Sequence, residues 1–285
     1  MSLDALPPLR DVIARHGLGA DKRFGQHYLL DLNLTAKIAR LCGDMTDLDV
    51  IEVGPGPGGL TRALLAAGAP RLTVIERDAR FLPALEEIGA AEPGRLHIVK
   101  ADALLADEPS LITGPGLLAS NLPYNVGTAL LIKWLEASPP WWRRLVLMFQ
   151  KEVAERVVAA PGEEAYGRLA ILVSSVARAR YAFTVPARAF TPPPKVDSAV
   201  VVLEPLPDAE RFGDLEALRI VTESAFGQRR KTLRRSLAQA AARANVSTEL
   251  LLEAAGIDPG VRAETIAPDG FMRLAAAWRA ARAGG

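Results

Sequence analysis

Residues 50–65, VIEVGPGPGGLTRALL, constrain the fold more than any other stretch of the chain. A β-branched run enters glycines at 54, 56, 58 and 59, and an Ala/Leu-rich amphipathic run leaves them. That pattern is strand, tight turn, helix. Glycine lets backbone approach a ligand closely, and the first N–H groups of the helix behind it have no intrahelical partner. The alternation continues downstream. Strands are expected at 72–76, 95–100, 116–120 and 143–149, and helices at 60–68, 78–89, 127–138 and 150–160. Short β-branched runs alternating with helices build βαβ units around a mostly parallel sheet, so the fold class is α/β and Rossmann-like. The pattern loosens through 169–177 and 181–185, and FTPPPKVDSAVVVLEP (190–205) reads as a proline-stiffened turn into a last strand. Beyond it only helices are expected, at 216–226, 231–244, 248–256 and 270–282. The expected domains are therefore 1–206, an N-terminal segment plus the α/β domain, and 207–285, a small all-helical domain.

The loop alone leaves its ligand open. Gly54, Gly56 and Gly59 satisfy G-x-G-x-x-G, which keeps a nicotinamide dehydrogenase in play. A turn with no ligand is the plainer alternative. A P-loop is excluded, because no Gly-Lys-Ser/Thr follows. Glu76 closes the next strand, where a carboxylate can accept both ribose hydroxyls of an adenosine-containing ligand. Asp102 follows the third strand and is placed to hold an adenine amine.

The fourth strand runs into SNLPYN (120–125). Asn121 brings an amide oxygen. Pro123 removes a backbone donor and stiffens the turn, freeing the Leu122 carbonyl to face a ligand. Two acceptors close together suit an exocyclic NH₂ and aim its lone pair at an electrophile. Tyr124 offers a flat face for a base taken out of its stack. Asn and Pro are also ordinary turn residues, so the tetrapeptide gains its meaning from its place beside a glycine-rich loop.

Composition narrows the classes. Of 285 residues, 34 Lys and Arg nearly cancel 33 Asp and Glu, which excludes a globally basic nucleic-acid coat but leaves room for a local patch. One cysteine, Cys42, rules out an internal disulfide and a Cys-rich zinc site, and His16, His27 and His97 lack metal-ligand spacing, so no metal is expected. Residues 109–132 carry no charge, yet three prolines and three glycines make a spanning helix improbable. With no apolar leader in MSLDALPPLR, a cytoplasmic protein without membrane association is expected. Nothing points to an obligate oligomer, and a monomer is expected.

GQRRKTLRR (227–235) places Arg229, Arg230, Lys231, Arg234 and Arg235 within seven residues without an acid. On a helix, Arg230 with Arg234 and Lys231 with Arg235 are i, i+4 pairs on one basic face, suited to RNA phosphates. A solvated helix face is the bland alternative. Arg10, Arg15, Lys22 and Arg23 suggest a second patch, and Lys195 a phosphate contact or an exposed turn. The Trp141–Trp142 pair reads as packing rather than base stacking. His16, His97 and Cys42 read as having no chemical role.

With these residues in hand, the chain resembles the ribosomal RNA adenine dimethyltransferase family, most of all its bacterial small-subunit branch. KRFGQHYLLD (22–31), GPGPGGLT, IERD, ADAL, NLPYN, QKEVAERV (150–157), YGRLAILV (166–173) and FTPPPKVDSAVV (190–201) follow in family order. The resemblance implies a class I methyltransferase sheet with a helical C-terminal domain that binds RNA. It implies S-adenosyl-L-methionine as cofactor, held by His27, Leu29, Gly54, Glu76, Asp102 and Asn121. It implies Tyr124 and Phe190 on either side of the target adenine, with Asn121, Leu122 and Pro123 fixing its amine. The reaction implied is dimethylation of N6 on two adjacent adenines in the 3′-terminal hairpin of 16S rRNA, within the assembling 30S subunit, with a role in its biogenesis. The large-subunit methyltransferase of the antibiotic-resistance type and a non-catalytic assembly factor are the rivals. His27 stands where relatives usually have Asn, and Tyr28 where they usually have Phe. A histidine can serve the same contact with the methionine end of the cofactor, and its protonation brings in pH dependence. Activity is expected to survive both changes.

Overall fold

Strands form where β-branched residues cluster, and helices where Ala and Leu recur at helical spacing. The structure is a computed structural model that describes residues 3–20 and 26–284. In chain order its elements are α1 (Leu9–Arg15), β1 (Tyr28–Leu29), α2 (Leu32–Arg40), β2 (Asp49–Val53), α3 (Gly59–Ala66), β3 (Arg71–Glu76), α4 (Leu82–Ala91), β4 (Leu96–Lys100), β5 (Gly116–Asn121), α5 (Gly127–Leu135), β6 (Trp142–Gln150) and α6 (Lys151–Val158). There follow α7 (Arg168–Val176), β7 (Ala177–Val185), β8 (Phe190–Thr191), β9 (Ser198–Pro205), α8 (Leu215–Gly227), α9 (Leu233–Ser236), α10 (Ala238–Arg243), α11 (Thr248–Ala254) and α12 (Pro268–Gly284).

Seven strands form one sheet in the order β4-β3-β2-β5-β6-β9-β7. Renumbered by appearance in that sheet, the order is 3-2-1-4-5-7-6. The pairs from β4 across to β6 are parallel, and β9 runs antiparallel to β6, with Met148 opposite Val200. Alternate residues Val50, Leu72, Val74, Leu117, Ala119, Val146, Met148, Val200 and Val202 turn one face toward a core built with α1 to α4. The intervening residues Ile51, Ile75, Leu118, Leu147 and Val201 are buried too. With both faces covered, the central strands read as continuous apolar runs. Trp142 is buried and its indole N–H donates to the Trp134 carbonyl at 2.9 Å, so its role is packing. β1 and β8 form a separate two-stranded sheet, with Leu29 opposite Phe190.

By contacts the chain divides into two units, 1–154 with 180–205 and 155–179 with 206–285. This differs from the single cut expected after residue 206. Ala170 and Ile171 of α7 belong to the apolar cluster formed by α8, α10, α11 and α12, which draws residues 155–179 into the helical unit. The expected helix over 231–244 also needs correction. α8 ends at Gly227, residues 228–230 turn, and α9 and α10 meet at Leu237. Thr232 is extended and bridges Arg262, while Leu233 N and Arg234 N donate to the Val261 and Pro259 carbonyls. Those long-range backbone bonds take the donors that a continuous helix would have used internally, so tertiary pairing overrides local propensity.

Candidate active site at the switch point of the sheet

β2 and β5 are neighbours whose following helices belong to opposite halves of the sheet order, and ligands of open α/β sheets bind beyond the strand ends at such a point. A cleft of about 540 Å³ opens there. That size lies within the range of small-molecule sites, roughly 300–1,000 Å³. His27, Leu29, Gly54, Glu76, Asp102 and Asn121 all line it, and so do Leu122, Pro123 and Tyr124.

The glycine loop shapes one wall. Gly54 has φ +66°, a left-handed conformation that side chains disfavour. A Cβ at Gly59 would stand 2.7 Å from the Leu29 carbonyl oxygen, so the first turn of α3 fits against β1 only without a side chain. Glu76 ends β3 at 7% exposure. Its Oε2 accepts from Gly56 N at 3.2 Å and its Oε1 from Asp78 N at 2.7 Å. Burial raises its carboxyl above the ordinary value, against the pull of those backbone bonds. Asp102 is oriented on both oxygens, by Leu104 N at 3.0 Å and by the Arg77 guanidinium at 3.1 Å. Lys133 clasps the segment that carries it. Its ammonium donates to the Ala103 carbonyl at 2.9 Å, to the Ala106 carbonyl at 2.5 Å and to the buried Glu108 carboxylate at 2.8 Å.

The Asn121 wall is tied to the chain's N-terminal segment. Asn121 Nδ2 donates to the His27 carbonyl at 3.4 Å, which leaves Oδ1 as the acceptor. The Tyr124 ring stacks on the His27 imidazole, with centroids 5.4 Å apart and an interplanar angle of 29°. Its hydroxyl shares a 2.6 Å hydrogen bond with the Ser198 hydroxyl. Burial raises the Tyr124 phenol above its ordinary value. His27 Nδ1 lies 2.8 Å from the Pro192 carbonyl, so Nδ1 carries the proton and donates.

Phe190 is not brought to the cleft. It is 2% exposed in the apolar core, with its backbone paired to Leu29 through β1 and β8. The aromatic group against Tyr124 is His27, and no ring face of Phe190 is open for a base. The basic run is likewise redistributed. Arg230 and Lys231 lie in the turn and bend after α8 rather than on a helix, so the expected i, i+4 pairs do not form. Arg229 donates to Glu264 at 3.0 Å and Arg234 to Glu249 at 2.6 Å. Arg230, Lys231 and Arg235 are exposed. Arg15 pairs with Glu87 at 3.1 Å and His16 with the same carboxylate at 2.8 Å, whereas Lys22 and Arg23 lie outside the described residues. Lys195 is exposed, and Cys42 is buried with its thiol pushed up to about 12 by burial. Among the described residues no group of three or more His, Cys, Asp or Glu could hold a metal ion, and no helix is long and apolar enough to cross a membrane.

Sequence reasoning overlooked three participants. Glu52, two residues before the glycine loop, lines the cleft. Ser198 holds the Tyr124 hydroxyl. Gln26 lines the cleft and donates to Asp78 at 3.2 Å. A carboxylate inside an otherwise apolar strand was the one local signal available, and it marked Glu52.

The seventh strand inserted antiparallel between the fifth and sixth departs from the dinucleotide-binding order 3-2-1-4-5-6. Together with the glycine loop and the acid at the end of the second strand, it defines a class I methyltransferase. Comparison with known proteins narrows the class. The family described as Ribosomal RNA adenine dimethylase matches residues 18–278. A Ribosomal RNA small subunit methyltransferase A of Maricaulis maris (strain MCS10) is 66% identical over 99% of this chain and 98% of its own length. Among solved structures, a dimethyladenosine transferase from Plasmodium falciparum superposes with a TM-score of 0.75 at 24% identity, covering 87% of this chain and 96% of that one. The 23S rRNA methyltransferase ErmE superposes with a TM-score of 0.66 at 28% identity, covering 88% and 99%. The chain belongs to the ribosomal RNA adenine dimethylase family and is a methyltransferase.

Proposed function

We propose that this enzyme uses S-adenosyl-L-methionine to dimethylate N6 of two adjacent adenines in the 3′-terminal hairpin of 16S rRNA, in the cytoplasm, on the assembling 30S subunit. The observation that carries the chemistry is the cleft at the switch point, where Asn121 and Tyr124 face the glycine loop and Glu76. The small-subunit target is supported by the 66% identical relative named for that subunit.

The residues present fit the cofactor. Glu76 stands beside the glycine loop as a ribose acceptor, Asp102 is held ready for the adenine amine, and the His27 side and Asn121 remain for the methionine end. The bound cofactor supplies an electrophilic methyl group on a sulfonium. This chain's residues do the positioning. The Asn121 Oδ1 and the Leu122 carbonyl accept from the target amine and hold its lone pair in line with the methyl, while Tyr124 supports the base by stacking. Aligning nucleophile and electrophile accounts for a large share of such a rate, because the reaction becomes effectively unimolecular. The amine releases one proton for each methyl accepted, and the pocket must also admit the monomethylated amine. Arg230, Lys231 and Arg235 of the helical unit contact RNA phosphates, and recognition rests on RNA shape more than on base reading.

The likeness to ErmE supports a second reading, a large-subunit target. Labelled S-adenosylmethionine offered in parallel to small and large subunits lacking the modification separates the two. Label in small subunits, lost with Asn121→Ala, is expected. Label in large subunits moves the enzyme to the second reading. Binding to small subunits without label leaves an assembly factor and removes the enzymatic reading.

A further inference from the structure

The segment that carries Asp102 is not held by apolar packing. Over residues 101–110 the one buried side chain is Glu108, a carboxylate at 1% exposure. The leucines that follow Asp102 do not anchor it, because Leu104 is exposed and Leu105 is 86% exposed. Local hydrogen bonds fold residues 102–106 into a turn. The Asp102 carbonyl accepts from Leu105 N at 2.9 Å and from Ala106 N at 3.0 Å, and its carboxylate from Leu104 N. Arg77 reaches that carboxylate too, but it is mostly exposed, and surface pairs contribute little.

Lys133 of α5 grips the backbone of the turn. Its three ammonium protons meet three partners, the Ala103 carbonyl, the Ala106 carbonyl and the Glu108 carboxylate. Trp134, the next residue of α5, donates its indole N–H to Glu108 at 2.8 Å. Neutralising Glu108 requires only the carboxylate contact. The two carbonyl bonds bracket Leu104 and Leu105, and so fix the turn itself. Lys133 does not line the cleft, whereas Ala101, Asp102, Ala103 and Leu104 do, so its influence on a ligand passes through the turn. α5 also starts at the opposite wall. Val126 N and Gly127 N donate to the Pro123 carbonyl at 3.2 and 3.0 Å. One helix thus fixes both the Asn121–Tyr124 turn and the segment bearing Asp102.

The consequence falls on the base of the cofactor. A carboxylate accepts hydrogen bonds, so one held in place takes a 6-amino group and repels a 6-oxo group. We propose that Lys133 is a positioning residue that gives the cleft its specificity for an adenosyl cofactor, by fixing the turn that presents Asp102 to the adenine amine. This rests on the reading of Asp102 as the adenine acceptor, and it adds a residue outside the cleft on which that selectivity depends.

Two ligands that differ at this position test it. S-adenosylhomocysteine is the cofactor without its transferable methyl, and in S-inosylhomocysteine oxygen replaces the purine amine. Isothermal titration calorimetry of the full chain reads both affinities. The unmodified chain is expected to prefer the adenosyl ligand by about 10- to 100-fold, the scale of one hydrogen bond to a charged group. Lys133→Met should shrink that preference by about three- to tenfold, within the range for residues coupled through one network. It should do so by weakening the adenosyl ligand while the inosyl ligand binds as before. In an Asp102→Ala background the same change should alter neither affinity. A merely structural lysine would weaken both ligands alike, or move the melting temperature alone. Lys133→Met strands the Glu108 charge, so it is also combined with Glu108→Gln, which keeps an acceptor for Trp134 and leaves no unpaired charge. A preference that survives in a folded variant, an equal loss of both ligands, or the same loss without Asp102 overturns the proposal and leaves the Asp102 reading standing. No preference in the unmodified chain, or one that persists in Asp102→Ala, overturns the Asp102 reading and the proposal with it.

Discussion

Asn121 is the residue on which transfer should depend most. It is half-buried and makes one long hydrogen bond, so Asn121→Ala should leave thermal stability nearly unchanged. It should slow methyl transfer by about 100-fold or more, the scale on which a misplaced nucleophile is felt. Tyr124→Phe should keep the stack and lose the 2.6 Å bond to Ser198, whose buried hydroxyl is then unpaired at a cost of about 1–3 kcal/mol. Glu52 makes a stability prediction of its own. Its folded carboxyl is raised above the unfolded value, so the proton is held more tightly in the native state. That contribution is fully present below the unfolded value near 4.5 and is lost as pH rises toward about 8. Melting temperatures of Glu52→Gln measured across that window should accordingly fall less with rising pH than those of the unmodified chain. At this scale the sequence was informative wherever the chemistry is local. Gly54–Gly59 and Asn121–Tyr124 are short strings with a mechanism. The stack of His27 on Tyr124 was not legible, because the partners belong to distant segments and aromatic contacts leave no periodic signal.

Among the elements, the strands and helices around the sheet were readable because both periods recur strongly from Asp49 to Ala160 and loosen only beyond it. The β1–β8 pairing was not. Two-residue strands carry too little pattern, and the pair joins segments whose side-chain bond, His27 to Pro192, spans 165 residues. That pairing is why Phe190, expected beside the adenine, packs in the core. Phe190→Ala should destabilise the protein by about 3–5 kcal/mol in a denaturant titration, as for other buried aromatics. Phe190→Leu, with the apolar packing largely kept, should retain transfer; a loss of transfer in a well-folded Phe190→Leu would return this ring to the substrate. α5 makes a second prediction. Lys133→Met leaves Glu108 without its cation at 1% exposure, at a cost of about 3–5 kcal/mol. It also loosens the segment bearing Asp102, so the KM for cofactor should rise in steady-state assays while kcat changes little.

At the scale of the whole molecule, the alternation of strand and helix patterns established the α/β class and the helical C-terminal region, but not where the chain leaves and re-enters each unit. A boundary set by strand signals cannot see that α7 buries Ala170 and Ile171 in the helical cluster. The basic run teaches the same lesson about charge. Five cations stand together in sequence, but two are paired with Glu264 and Glu249. Changing Arg230, Lys231 and Arg235 together to Ala should weaken RNA binding and reduce the salt slope by roughly 0.7–0.9 for each phosphate no longer neutralised, leaving cofactor affinity intact. Arg229→Ala should act on stability instead, through Glu264. Adenine dimethylation of small-subunit rRNA can be read by nucleoside mass spectrometry. Small subunits lacking the modification would be treated with the enzyme and cofactor, and their RNA digested and analysed. N6,N6-dimethyladenosine is expected at two adjacent positions in the 16S 3′-terminal hairpin, and none with Asn121→Ala. Small-subunit RNA that remains unmodified, or dimethyladenosine found instead in large-subunit RNA, would contradict it.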